Sequence, residues 1–171
     1  MTKKIIYQFK PFIKIIRENY QNRHQKRKNF HQIYLQNSAM VIVEDKKKRV
    51  LFLNEYRRGL KKMSLGFPGG NIEREETPIH AVKRELLEET GLVAKNWKLL
   101  FKYTRHGTYN CGKDYVFFAK NLKNVKLKKK IENIEKKWFN RKQIIKNFNQ
   151  DKFETSGLLA AVLFYLYKKD D

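Results

Sequence analysis

"GNIEREETPIHAVKRELLEETGL", residues Gly70 to Leu92, is the stretch that decides how the chain folds. Thr77 can cap a helix by accepting a backbone N–H, Pro78 suits the first helical position, and Gly91 supplies the left-handed stop. A helix is therefore expected between Thr77 and Gly91. Successive helical residues turn by about 100°, so Glu85 and Glu89 stand nearly one above the other with Glu88 on their flank. Ile79, Val82 and Leu86 project from another sector, which gives the helix a core side distinct from its acidic side.

An acidic stripe gains nothing by itself, because like charges four residues apart repel by roughly 0.2–0.5 kcal/mol per pair. Compensation can be ordinary: Arg84 pairs with Glu88, and lysines and water serve the other carboxylates. It can also be a metal ion. Hard carboxylate oxygens suit Mg²⁺ or Mn²⁺, which need few protein ligands and bridge to the phosphates of a substrate. Just upstream, "GFPGGN" reads as a turn where Gly69 and Gly70 let the backbone approach a metal or phosphate closely.

Outward from this centre, "AMVIVE" and "RVLFLNEY" are aliphatic runs separated by the charged "DKKKR", which predicts a hairpin. "WKLLFKYT" and "DYVFFA" read as two further strands joined by the polar "RHGTYNCGK". Beyond them come "IEKKWF", a helical piece from Arg141 to Asn147, and a last helix from about Thr155 to Lys168. Near the start, Phe12 to Arg17 and Phe30 to Leu35 read as strands around a solvated "NRHQKRK" turn. Residues 1–36 are taken as a basic strand region and a candidate dimerisation element, and residues 37–171 as the main domain.

The 171 residues, 41% hydrophobic and 13% aromatic, suffice for one domain with its own core. Cys111 is the only cysteine, which rules out an internal disulfide and a multi-cysteine zinc site and fits a reducing, cytoplasmic setting. No secretory signal is expected, since Lys10 and Lys14 interrupt the N-terminal apolar residues. The apolar run from Leu158 to Tyr167 falls short of the roughly 20 residues that span a bilayer, so no membrane partner is expected. A formal net charge of +22 attracts phosphates and nucleic acid, although lysines spread along the whole chain also fit compositional bias.

The fixed positions Gly70, Glu76, Arg84, Glu85, Leu86, Glu88, Glu89, Gly91 and Leu92 resemble the Nudix box, with every gap matched. The resemblance implies an α/β fold, the Nudix α/β/α sandwich around a mixed β-sheet. It also implies metal-dependent hydrolysis of a P–O–P bond. Glu85, Glu88 and Glu89 would ligate Mg²⁺ or Mn²⁺, with the carbonyl of Gly69 as a further ligand and Glu85 and Glu89 at the centre of the chemistry. Arg84 and Glu76, with Gly70 and Gly91, would brace the loop–helix–loop.

Around the box, Glu55-Tyr56-Arg57 followed by Pro68-Gly69-Gly70 is similar to the ADP-ribose pyrophosphatase branch of that family, which would place Arg57 on a substrate phosphate. Gly66 stands where that branch commonly has a glutamate. The general base is expected on a loop past the sheet, at Glu132 in preference to Glu135. Tyr103, Arg105, His106, Tyr109 and Tyr115 cluster where a base or ribose could bind, with Arg105 and Tyr109 the chosen contacts. The substrate is expected to be a nucleoside diphosphate linked to another group, ADP-ribose or a nucleotide sugar first. RNA 5′ ends or dinucleoside polyphosphates are the alternative within the enzyme class, and a nucleic-acid-binding module without turnover is the alternative outside it.

Overall fold

The computed structural model describes residues 2–10, 13–21, 27–109, 112–126 and 134–167. Three strands come first: β1 (Thr2–Phe9), β2 (Ile13–Gln21) and β3 (Arg27–Leu35), an antiparallel meander that forms a sheet of its own. The sequence reading placed strands at β2 and β3 and missed β1, whose lysines and glutamine dilute its apolar signal. Next follow β4 (Ser38–Val43), β5 (Val50–Arg57), β6 (Lys62–Gly66) and β7 (Gly69–Asn71). After α1 (Pro78–Thr90) come β8 (Leu92–Thr104), β9 (Lys113–Asn124), β10 (Glu135–Phe139), α2 (Arg141–Asn149) and α3 (Ser156–Tyr167).

The expected hairpin between "AMVIVE" and "RVLFLNEY" does not form. β4 lies between β7 and β9 in one sheet, β5 lies between β10 and β6 in another, and among the described residues a single isolated bridge, Glu44–Val50, joins the two. The physical reason is burial on both faces. Ala39, Val41, Val43, Leu51 and Leu53 pack with Ala81, Val82 and Leu86 of α1, whereas Ile42, Val50 and Phe52 pack with Leu158, Ala161 and Val162 of α3. A strand apolar on both faces belongs inside a layered sheet, not in a solvated hairpin. Helix, sheet, helix is thus the layer order, and the β4–β9 pair is parallel while the other ladders are antiparallel. This is the expected α/β sandwich around mixed sheets.

The helix boundaries follow their caps. Thr77 accepts the N–H of His80, Pro78 opens α1, and Gly91 at φ 70° donates its N–H to Leu87 at 2.8 Å. Asn140 and Gln143 form a reciprocal capping box at the start of α2. The supposed glycine turn is in part a strand: Gly69 and Gly70 pair with Met40 and Ala39 of β4. A Cβ on Gly69 would collide with the Ala39 carbonyl and the Met40 backbone, so close strand approach, as well as turn freedom, requires glycine there. Among the described residues no helix is long and apolar enough to cross a membrane.

Candidate active site

Arg84 organises the acidic face of α1. Its Nε and Nη2 donate to the two oxygens of Glu76 at 3.1 Å each, and Nη2 also reaches the Asn71 carbonyl. Nη1 donates to Glu85 Oε1 at 2.8 Å and to Glu88 Oε2 at 3.2 Å. One guanidinium therefore fastens the loop before the helix to two of the three stripe carboxylates, as its fork of donors permits. Its hydrogen bonds hold Glu76 below the usual carboxylate range.

Glu89 is placed differently. Its Oε2 accepts the backbone N–H of Gly69 at 2.9 Å, which ties the last turn of α1 to β7. Burial pushes its carboxyl up to about 8, and the charges of Glu85 and Glu55 push the same way. Burial also raises Glu85, against the pull of Arg84. Gly70 passes so close that a Cβ there would overlap the Glu85 carboxylate. Two half-buried carboxylates thus lie against Gly69 and Gly70 with less positive charge than they need, the condition a hard divalent cation relieves.

Among the described residues, no three acidic, histidine or cysteine side chains are gathered into a complete metal cage. Glu85 Oε2, Glu88 Oε1 and Glu89 Oε1 nevertheless have no partner among the described residues. One free oxygen on each carboxylate fits Mg²⁺ or Mn²⁺, which retain waters and complete their shells with substrate oxygens. Glu85, Glu88 and Glu89 are the residues that would hold such an ion.

Beside β7 opens a cleft of about 330 Å³ bordered by Gly66, Gly69, Gly70 and Asn71, with Arg57 and Arg105 on its walls and Thr155 and Leu158 closing it. Arg57 Nη2 meets Glu55 at 2.6 Å. Arg105 is fixed from behind, its Nε 3.0 Å from Asp114 and its Nη2 on the Gln36 carbonyl. Asp114 is buried at 4% exposure and also accepts the Ser38 hydroxyl at 2.5 Å. Burial and the hydrogen bond to Asp114 raise the Tyr103 phenol, which lies against Gly157.

The structure therefore brings together Arg57, Arg105, Gly69 and Gly70 at one cleft, with Glu85 and Glu89 against its glycine wall. Tyr109 does not line that cleft; it stacks on Phe30 of β3 and meets His106 at 4.8 Å. Tyr115 packs against the α1 side of the core. Glu132 lies outside the described residues. Glu135 is exposed on β10, bound by Asn54 at 3.0 Å and Lys137 at 3.1 Å, away from the cleft lining. Asp114 and Glu55 escaped the sequence reading as site residues. The visible signal for Asp114 was a lone acid leading the apolar "DYVFFA" strand, and for Glu55 a carboxylate two residues before Arg57 on the same strand face.

A family model described as the NUDIX domain matches residues 34–159, and the chain belongs to that family. It is 31% identical over 98 residues to an ADP-ribose pyrophosphatase of Bacillus subtilis, covering 57% of this chain and 52% of that one. It is 52% identical over 40 residues to an 8-oxo-dGTP diphosphatase of Haemophilus influenzae, covering 23% of this chain and 29% of the relative. An RNA pyrophosphohydrolase of Psychrobacter cryohalolentis is 44% identical over 55 residues, 25% of this chain and 32% of that protein. The chain thus spans about half or less of each of these relatives. A crystal structure of an ADP compounds hydrolase superposes with a TM-score of 0.84 at 17% identity, over 96% of this chain and 90% of the other, and establishes the fold.

Proposed function

We propose that the protein is a Mg²⁺- or Mn²⁺-dependent pyrophosphohydrolase that cleaves the diphosphate of ADP-ribose or a nucleotide sugar. The observation that carries this reading is the Glu89 carboxylate, half-buried and bound to the Gly69 N–H beside Glu85, against the glycine wall of a cleft that two arginines line. Bound divalent metal would polarise the diphosphate and lower the pKa of the attacking water. Glu85, Glu88 and Glu89 supply the oxygens that hold it, and Arg84 and Glu76 keep those oxygens in place. Arg57 and Arg105, which line the cleft, would neutralise and orient the two phosphates. Glu132 is the proposed general base, on the segment preceding β10, and Tyr109 the proposed base or ribose contact.

ADP-ribose stands first because an ADP-ribose pyrophosphatase shares the longest matched stretch and an ADP compounds hydrolase shares the fold. RNA 5′ ends are the second reading, favoured by the +22 charge and by the RNA pyrophosphohydrolase similarity. A binding module without turnover would have no use for three carboxylates that each keep a free oxygen. The absence of a membrane-crossing helix among the described residues and the single cysteine suit a cytoplasmic enzyme. The separate β1–β2–β3 sheet, with Ile5, Ile6, Tyr7 and Phe9 exposed, is the proposed dimerisation element.

Incubation with ADP-ribose, nucleotide sugars and 5′-triphosphorylated RNA, each with Mg²⁺, tests the assignment. AMP release from ADP-ribose at the highest kcat/KM supports the first reading. Faster pyrophosphate release from RNA transfers the assignment to the second, and no release from any substrate refutes both.

A further inference from the structure

A second cleft, of about 480 Å³, shares no lining residue with the one beside β7. It is formed by the Asp45–Arg49 loop, Leu92, Leu122, Asn124, Lys136 and Trp138. Four cations face a single carboxylate, and that carboxylate is already engaged. Asp45 accepts Arg49 Nε at 2.9 Å and Arg49 Nη2 at 2.7 Å, while its other oxygen accepts the loop N–H groups of Lys47 and Arg49 at 2.9 Å. The loop is closed as a result.

Arg49 gains the most from this closure. Its guanidinium is fixed at the edge by Asp45 and rests above the Trp138 ring, 5.7 Å from the centroid. The Arg49 side chain is still 41% exposed, so a cation held over an indole keeps part of its surface toward water. An exposed guanidinium beside an aromatic ring offers a surface on which a nucleobase can stack. Beside it, Lys46 and Lys47 are exposed and form no ion pair among the described residues, and Lys136 reaches the Thr90 carbonyl at 2.7 Å. Flat stacking surface next to loose cations matches the alternation of base and phosphate in a single strand. An acidic protein segment would use the lysines and leave the platform idle.

We propose that this loop and strand surface binds single-stranded nucleic acid, with a base laid on Arg49 over Trp138 and neighbouring phosphates held by Lys46 and Lys47. The site is independent of turnover at the carboxylates, so it operates whichever diphosphate is cleaved.

Fluorescence anisotropy of the full chain with labelled oligoadenylate, in chelator to prevent hydrolysis, tests the proposal. Lys46→Glu with Lys47→Glu should weaken binding about tenfold or more and flatten the salt slope by about 1.4, two phosphate contacts at roughly 0.7 each. Arg49→Lys keeps the charge and removes the plane; it should weaken oligoadenylate about fivefold or more and leave duplex RNA of the same length unchanged. Lys95→Glu with Lys98→Glu, also exposed on β8 and without an ion pair among the described residues, serves as control and should matter less than about twofold. Equal loss in the control couple shows attraction by bulk charge and overturns the site. Indifference to Arg49→Lys, equal affinity for duplex, or no binding at all overturns it too. ADP-ribose hydrolysis by the same variants is read separately and is expected to match the parent protein, so failure of the proposed activity is distinguishable from failure of this site.

Discussion

Glu89 and Gly69, twenty residues apart, are joined by a 2.9 Å hydrogen bond from the backbone N–H of the glycine to the half-buried carboxylate. The bond ties the acidic face of α1 to β7 and holds the carboxyl in a place where water cannot fully solvate its ionised form. Metal affinity and pH dependence both follow from that placement.

Stability of the metal-free protein should fall with rising pH through Glu89. Its carboxyl rises from 4.5 to about 8 on folding, so between those values the folded state holds a proton that the unfolded state has lost. Stability contributed by the protonated group therefore fades as pH rises across that window. Thermal unfolding in chelator should show the parent losing ground to Glu89→Gln over this range, and Mg²⁺ should restore the difference by binding the ionised form. A difference that does not vary with pH would contradict the burial of this group.

The two glycines of β7 should fail in different ways. Gly69→Ala drives a Cβ into the Ala39 carbonyl and the Met40 backbone, neither of which can move freely, and should cost about 1–3 kcal/mol of stability. Gly70→Ala meets the movable end of Glu85 instead, so it should leave the melting temperature nearly unchanged while displacing a carboxylate of the proposed metal site. Differential scanning calorimetry beside a hydrolysis assay separates the two outcomes.

Arg84→Lys should not be a mild change. A lysine cannot reproduce the paired contacts to Glu76 together with those to Glu85, Glu88 and the Asn71 carbonyl. A loss of about 2 kcal/mol is expected from the denaturation midpoint at unchanged slope, together with weaker Mg²⁺ binding by calorimetry.

Asp114→Asn should act through Arg105. Removing the buried charge frees the guanidinium that lines the cleft, at a cost of about 3 kcal/mol in stability. With ADP-ribose, KM should rise about tenfold while kcat stays within about threefold, the pattern of lost substrate binding shared by ground and transition states. A fall confined to kcat would place Arg105 elsewhere in the reaction.

The α1 region was legible in the sequence because its information is local: Thr77, Pro78 and Gly91 mark the ends, and the Glu85–Glu89 spacing fixes one face. Arg84 was readable as a brace, and its reach to Glu76 is what the structure shows. What failed was long-range. Nothing between Val43 and Val50 reveals that β4 and β5 enter different sheets, because apolar burial on both faces depends on α1 and α3 arriving from later in the chain. Asp114 likewise gains its meaning only when Ser38 and Arg105 meet it across the parallel β4–β9 pair and the β8–β9 hairpin. Tyr109 also takes its place from a distant partner: it stacks on Phe30 of β3, outside the lining of the cleft that holds Arg105.

The most direct test of the account is turnover of ADP-ribose by the parent protein and by Glu89→Gln, side by side at saturating Mg²⁺ with released AMP as the readout. The account expects metal-dependent turnover that falls roughly a hundredfold or more in the variant, the equivalent of several kcal/mol of lost metal assistance. Equal rates in the two proteins, or turnover indifferent to chelator, would contradict it.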